Sequence, residues 1–235
     1  MKNILITNDD GIAAHGIVRL AEAAKAFGRV WVIAPEKQRS ALSHSITLRE
    51  MIDIRPYHFP VEGVTAWTCS GTPADCVRIG LFHLPEISPD AVLSGINYGY
   101  NMASDIQYSA TVGAALEAAH NGVLAIAVSE PTGEDHSIAD AYLPGILADL
   151  LQRQPVRDEI INVNFPHEFC RGVLTDRTVS AGALYRDRYR VVEELDGGGA
   201  RLSVNGIYNE DCEEGTDFRA LIDHYISIGT VRNLG

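Results

Sequence analysis

The sequence predicts an α/β fold: a Rossmann-like, mostly parallel sheet with helices on both faces, plus a C-terminal β-hairpin arm. Three observations carry this expectation. Short apolar runs alternate with segments of helical period from the N-terminus to Pro166. The runs are nearly continuous in Val, Ile, Leu and Ala, as expected of strands covered on both faces. Beyond Pro166 the helical period gives way to two β-rich segments around a glycine run.

The elements follow in order. "NILIT" reads as a strand, and "GIVRLAEAAKAF" as a helix with Ile17, Leu20, Ala21, Ala24 and Phe27 on one face, closed by Gly28. "RVWVIAP" is a second strand stopped by Pro35. "GTPADCVRIGLFHL" is a helix with Thr72 as N-cap, Pro73 at the first helical position and Asp75 in the first turn. "DAVLSGIN" is a third strand, "TVGAALEAAHNG" an alanine-rich helix and "LAIAVS" a fourth strand. "IADAYLPGILADLLQR" is a helix with a kink expected at Pro144, and "IINVNFP" is a fifth strand. "RYRVVEEL", a glycine turn and "ARLSVNG" form the hairpin, which has too little core to stand alone.

Composition narrows the function. With 19 Lys and Arg against 31 Asp and Glu, the 235-residue chain carries a net charge of −12. A duplex-binding surface needs a basic stripe, so nucleic acid duplexes are excluded as partners. No apolar run is long enough to span a bilayer, and the polar residues at Asn8 and Asp9 interrupt any signal-peptide core, so no membrane partner is expected. Cys69, Cys76, Cys170 and Cys212 fit no zinc spacing and read as reduced thiols of a cytoplasmic protein.

In open α/β sheets ligands bind at the carboxyl ends of the strands. Here those ends include "TNDDG", the Ser40 loop "APEKQRS" and "SGIN". Asp9 and Asp10 are adjacent carboxylates, which repel unless solvated or bridged by a cation. They read either as an Asx turn or as half of a hard-cation site. Asn97 and Ser40 would add neutral oxygens to the second reading, or be a turn and a surface serine in the first. Ser109 and Thr111 stand where the alanine-rich helix begins, either as ordinary caps or as an anion site made with the helix N-terminus. His44, in the Ser40 loop, is a structural histidine or a proton donor.

In its ordered blocks "ILITNDDG", "APEKQRSALSHSITL", "GTPADCV", "SGINYGYN", "YSATVGAALE", "GTDF" and "YISI", the chain resembles the survival-protein E (SurE) family of metal-dependent nucleotidases over nearly its whole length. The resemblance implies hydrolysis of nucleoside monophosphates at the 5′ and in some members the 3′ position, with exopolyphosphatase activity in some. It implies one divalent ion per subunit, Mn²⁺ or Mg²⁺, on Asp9, Asp10, Ser40 and Asn97. It implies catalytic roles for Asp9 and Asp10, with Asp9 orienting or deprotonating water. Substrate phosphate would meet Asn97, Ser109, Ala110 and Thr111. Residues 1–170 become the catalytic domain and 171–235 a hairpin and assembly region packed on it, giving a homodimer or homotetramer.

The chain departs from the family pattern at three points. Ala110 and Ala103 stand where the family has glycine, and the end reads "SIGTVRNLG" without the usual proline. If glycine at 110 served a positive φ, Ala110 would be strained. An alternative function is a catalytically weakened nucleotide-binding or interaction protein on the same fold. A phospho-receiver domain would need an Asp where Asn97 stands, and a haloacid-dehalogenase-type phosphatase would need Asp-x-Asp rather than adjacent Asp9 and Asp10.

Overall fold

A computed structural model describes residues 1–84, 86–182, 184–209 and 211–233. The N-terminal half builds strands β1 (Lys2–Thr7), β2 (Gly28–Pro35), β3 (Ile54–Tyr57), β4 (Thr65–Cys69) and β5 (Ala91–Tyr98), with helices α1 (His15–Ala24) and α2 (Pro73–Phe82). It continues through α3 (Ala110–His120), β6 (Leu124–Glu130), α4 (Ser137–Leu150) and β7 (Glu159–Asn164). The C-terminal part supplies β8 (Val173–Arg177), β9 (Tyr185–Leu195), β10 (Gly199–Tyr208), α5 (Asp217–Ile222) and β11 (Ile226–Arg232).

A nine-stranded sheet runs in the order β3-β4-β2-β1-β5-β6-β7-β11-β8. From β4 to β7 every pairing is parallel, whereas β3 and β11 each run antiparallel to an inner neighbour. The chain winds outward from β1 through β2 and β4, then restarts at β5 on the other side. The gap between the ends of β1 and β5 is therefore the topological switch point, where such sheets bind ligands.

β1 shows why the strand reads as continuously apolar. Ile4 and Ile6 enter the core shared with Ile17 and Leu20 of α1 and Leu143 and Leu147 of α4. Leu5 enters the opposite core with Val77 of α2 and Val112 and Ala115 of α3. Both faces are dry, so neither admits polar residues. Helix α3 is buried from Ala110 to Ala119, which explains its alanines: it lies on β5, β6 and β7 beside α2, with Ser43 and His44 against Gly113, leaving room for little more than methyl groups. Thr72 caps α2 with its side chain accepting from the Asp75 amide, while Asp75 receives the Thr72 amide in return. Helix α4 continues through Pro144.

The hairpin β9–β10 forms its own two-stranded sheet and leaves Tyr189, Val192 and Val204 exposed. Sequence reasoning missed β3, β4, β8, β11 and α5. β8 and β11 carry residues beyond 170 into the main sheet, beside β7. Among the described residues, no helix is long and apolar enough to cross a membrane.

Candidate active site

The turn after β1 is built to reverse sharply. Asn8 donates from Nδ2 to the Gly11 carbonyl at 2.9 Å, and Gly11 takes φ +99°, a conformation costly for any residue with a Cβ. The Lys37 backbone lies close to where a Cβ would sit, so the 36–40 segment packs directly on the turn. The Arg39 amide donates to the Asp9 carbonyl at 2.6 Å, which ties the Ser40 loop to the end of β1.

Asp9 and Asp10 face different neighbours. Asp9 is 4% exposed, and its Oδ1 accepts the Thr111 hydroxyl at 2.6 Å. Asp10 is half-buried; its Oδ2 accepts the Tyr98 amide at 3.0 Å and its Oδ1 the Gln38 Nε2 at 3.3 Å. The same Gln38 nitrogen donates to Ser40 Oγ at 3.0 Å, so one carboxamide joins Asp10 to exposed Ser40. Asn97, half-buried near the end of β5, spends its Nδ2 on the Gly99 carbonyl at 2.7 Å, which leaves its Oδ1 as the available atom.

Burial pushes the Asp9 carboxyl up to about 6, against the Thr111 hydrogen bonds that lower it, and repulsion from Asp10 adds to the rise. Burial also raises Asp10, opposed by the Tyr98 amide and Gln38. Among the described residues, no lysine, arginine or histidine is paired with either carboxylate. Two desolvated carboxylates with oxygen neighbours and no basic partner make a donor set that fits a hard divalent cation. Among the described residues, no three His, Cys, Asp or Glu side chains gather as a metal cage. Any cation here therefore rests on Asp9 and Asp10 completed by neutral oxygens.

The α3 N-terminus meets this pair from the other side. Ser109 is its N-cap, with Oγ accepting the Val112 amide at 3.1 Å while its hydroxyl proton stays available to donate. Ala110 opens the helix without a positive φ, so the strain expected there is absent. The positive φ lies instead at buried Ala103, at +51°. Ala110→Gly should therefore lower stability by about 1 kcal/mol through helix propensity, read as a fall in melting temperature. A stabilised variant would restore the strain account.

Four further residues hold the site and were missed in the sequence. Gln38 is one, and sits inside a quoted motif. Asn162 and Asn164 are two more: both donate from Nδ2 to the Asn101 carbonyl, at 2.8 and 3.0 Å, while Asn164 Oδ1 accepts the Asn101 amide at 2.9 Å. Their signal was legible as two polar residues at strand spacing in an otherwise apolar run. The fourth is Asp217 of "GTDF", 4% exposed, which accepts the amides of Ala103, Ser180 and Phe218 at 3.0, 2.9 and 2.7 Å. Asn162, Asn164 and Asp217 together pin the loop that leads from Asn97 to Ser109. His44 is turned into the structure: its Nε2 meets Glu117 Oε2 at 2.9 Å, and buried Glu117 also takes Arg78 at 2.9 Å. Gly113 makes this approach possible, because a Cβ there would lie 2.5 Å from the Ser43 carbonyl oxygen.

Fold and site together define a Rossmann-like α/β protein with an acidic, oxygen-rich centre at its switch point, facing a helix N-terminus. The chain belongs to the SurE family: residues 4–183 match the family described as Survival protein SurE. A relative from Clostridium botulinum (strain Loch Maree / Type A3), named 5′-nucleotidase SurE, is 40% identical over 234 residues, covering 96% of this chain and 91% of that one. A relative of the same name from Caldanaerobacter subterraneus subsp. tengcongensis is 37% identical over 230 residues, covering 96% and 89%. The crystal structure of the SurE protein from Aquifex aeolicus superposes with a TM-score of 0.81 at 32% identity, covering 99% of this chain and 94% of that one.

Proposed function

We propose that the chain is a metal-dependent 5′-nucleotidase that hydrolyses nucleoside monophosphates to nucleoside and phosphate. The observation that carries this reading is the 2.6 Å bond from Thr111 to Asp9. It joins the carboxylate pair to the start of α3, so a cation centre and an anion-binding helix end share one site.

Asp9, Asp10, Ser40 and Asn97 would hold one Mn²⁺ or Mg²⁺, which when bound supplies Lewis-acid polarisation of the phosphoryl group. Ser109, with its free hydroxyl proton, and the first amides of α3 receive the phosphoryl oxygens. Thr111 keeps Asp9 in one rotamer, and Asp9 orients the attacking water and takes its proton. The water oxygen bonds to phosphorus and the ester P–O bond breaks; the nucleoside oxygen leaves as a hydroxyl with a proton taken from solvent, and Asp9 returns the water's proton to solvent. Phosphate release from AMP with Mn²⁺ tests the reading. No turnover of AMP by the folded, Mn²⁺-loaded protein would overturn it and favour the non-catalytic alternative.

Residues 171–235 act in assembly. The support is the β9–β10 ribbon, which exposes Tyr189, Val192 and Val204 at 68%, 57% and 60% and has no further sheet neighbour among the described residues. A homodimer or homotetramer that covers it is the expected species, and a monomer mass by light scattering at micromolar concentration would reject this. The cytoplasm is its place on the four cysteines, all of them free thiols.

A further inference from the structure

We propose that Glu117 is a positioning residue for the Ser40 loop: acting through His44, it holds the loop against α3 and so keeps Ser40 in place beside the carboxylate pair. This rests on the cation reading above, in which Ser40 is a ligand, and adds a residue that touches no ligand itself.

Glu117 is the only carboxylate in α3, and it is buried among alanines. A buried ion pair is a poor source of stability, because desolvation offsets most of the attraction. What this carboxylate does is join three elements. Its Oε2 accepts the His44 Nε2–H at 2.9 Å from the Ser40 loop, and its Oε1 accepts Arg78 Nη1 at 2.9 Å from α2. The His44 bond first, and then Arg78, hold the Glu117 carboxyl below the usual range against the effect of burial, so it is an anion at neutral pH.

The loop needs such an anchor. Between Ser40 and His44, Ala41 takes φ +58° and Ser43 φ +52°. Residues with a Cβ keep these left-handed conformations only where their surroundings impose them. Before this stretch, the Arg39 amide fixes the chain to the Asp9 carbonyl. After it, Asp75 accepts the Thr47 amide at 3.1 Å and the Thr47 hydroxyl at 2.6 Å. The strained span between is tied by the Ser43 amide to the Tyr108 carbonyl at 3.0 Å, by the Thr72 hydroxyl to the Ser45 carbonyl at 2.8 Å, and by His44 to Glu117. Of these ties the last has an ionised partner, which makes it roughly twice as strong as a neutral one. It also draws Ser43 and His44 onto Gly113, one turn along α3 from Ser109.

Removing the charge does not strand its partners. The Arg78 and His44 side chains are 43% and 25% exposed, so both reach water when Glu117 is neutral. Glu117→Gln therefore keeps the fold and slackens the loop at its Ser40 end, while Asp75 still holds it at Thr47.

The test follows amide hydrogen exchange in the metal-free protein and Mn²⁺ affinity by calorimetry. It uses the parent, Glu117→Gln, His44→Ala and His44→Gln, each with and without Ser40→Ala. In Glu117→Gln and His44→Ala the Ser43 amide should exchange about tenfold faster, while the Thr47 amide and the amides of β1 keep the parent's rates. Mn²⁺ should bind about fivefold more weakly to both variants, and this loss should vanish where Ser40 is replaced by alanine. In His44→Gln the carboxamide nitrogen reaches Glu117 as the imidazole Nε2 does, so most of both effects should be recovered. Unchanged Ser43 exchange in Glu117→Gln and His44→Ala would overturn the proposal. So would a fall in Mn²⁺ affinity of the same size with and without Ser40. If the parent takes up no Mn²⁺, the cation reading fails, and the Ser43 exchange still decides whether Glu117 holds the loop.

Discussion

Replacing Asp9 with asparagine is expected to lower kcat/KM for AMP by at least ~10³-fold, equivalent to about 4 kcal/mol of transition-state stabilisation. Asparagine keeps a carbonyl oxygen for the Thr111 hydroxyl, so the 2.6 Å contact survives while the charge is lost. Two functions go with that charge: attraction for the divalent cation and acceptance of the water proton. Asp10→Asn should cost a similar factor through the cation alone. Chelation with EDTA should abolish activity in the parent, and Mn²⁺ or Mg²⁺ should restore it. Excess Mn²⁺ should then recover Asp10→Asn in part and Asp9→Asn hardly at all. Steady-state kinetics across a metal titration measures this. Full activity in EDTA, or a loss below tenfold in both variants, would remove Asp9 and Asp10 from the centre of the chemistry.

The same charge makes the metal-free fold less stable at neutral pH. Asp9 is raised from 3.8 to about 6 by burial and by its neighbour Asp10, so the native state holds this proton more tightly than the unfolded chain does. Stability from this group is therefore full below pH 3.8, falls as the pH rises towards 6, and stays low above that. The penalty at pH 7 is up to about 3 kcal/mol for Asp9, and Asp10 is shifted in the same direction. Metal-free Asp9→Asn should consequently melt above the parent at pH 7, with the difference closing towards pH 4.5. Comparing the two proteins cancels the opposite slope from carboxylates such as Glu117, which its His44 and Arg78 partners hold low. Mn²⁺ at one thousand times its dissociation constant should reverse the order, since it adds about 4.1 kcal/mol to the parent. A metal-free variant no more stable than the parent at pH 7 would show that the pair is already neutralised within the protein.

Residues acting within their own segment were legible. The core strands showed as apolar runs because both faces of β1, β2, β5, β6 and β7 are dry. Ser109 and Thr72 could be assigned as caps because a cap acts within three residues of itself. The adjacent Asp9 and Asp10 posed a local electrostatic problem that any reader of the chain can see. The edge strands were not legible in the same way. β3 is four residues long and partly exposed, so it lacks the continuous apolar signal. β11 is apolar enough, yet its place between β7 and β8 depends on pairing with strands some seventy and fifty residues earlier, and local periodicity carries no record of a partner.

The site divides along the same line. By itself the sequence determined the α/β class, the strand ends that carry oxygen ligands and the helix start that could receive an anion. It also excluded a duplex-binding surface through its charge. Only the tertiary structure decided that Asp9 turns to Thr111 while Asp10 turns to Tyr98, that Gln38 links Asp10 to Ser40, and that Asp217 reaches back to Ala103 across more than one hundred residues of chain. It also moved the positive φ from Ala110 to Ala103. The physical reason is that composition, periodicity and caps are properties of one segment, whereas a buried side chain's partner is set by which segments the sheet order brings together. A carboxylate 4% exposed takes whatever donor lies nearest in space, and the sequence carries no distance between residues 9 and 111 until the sheet has closed.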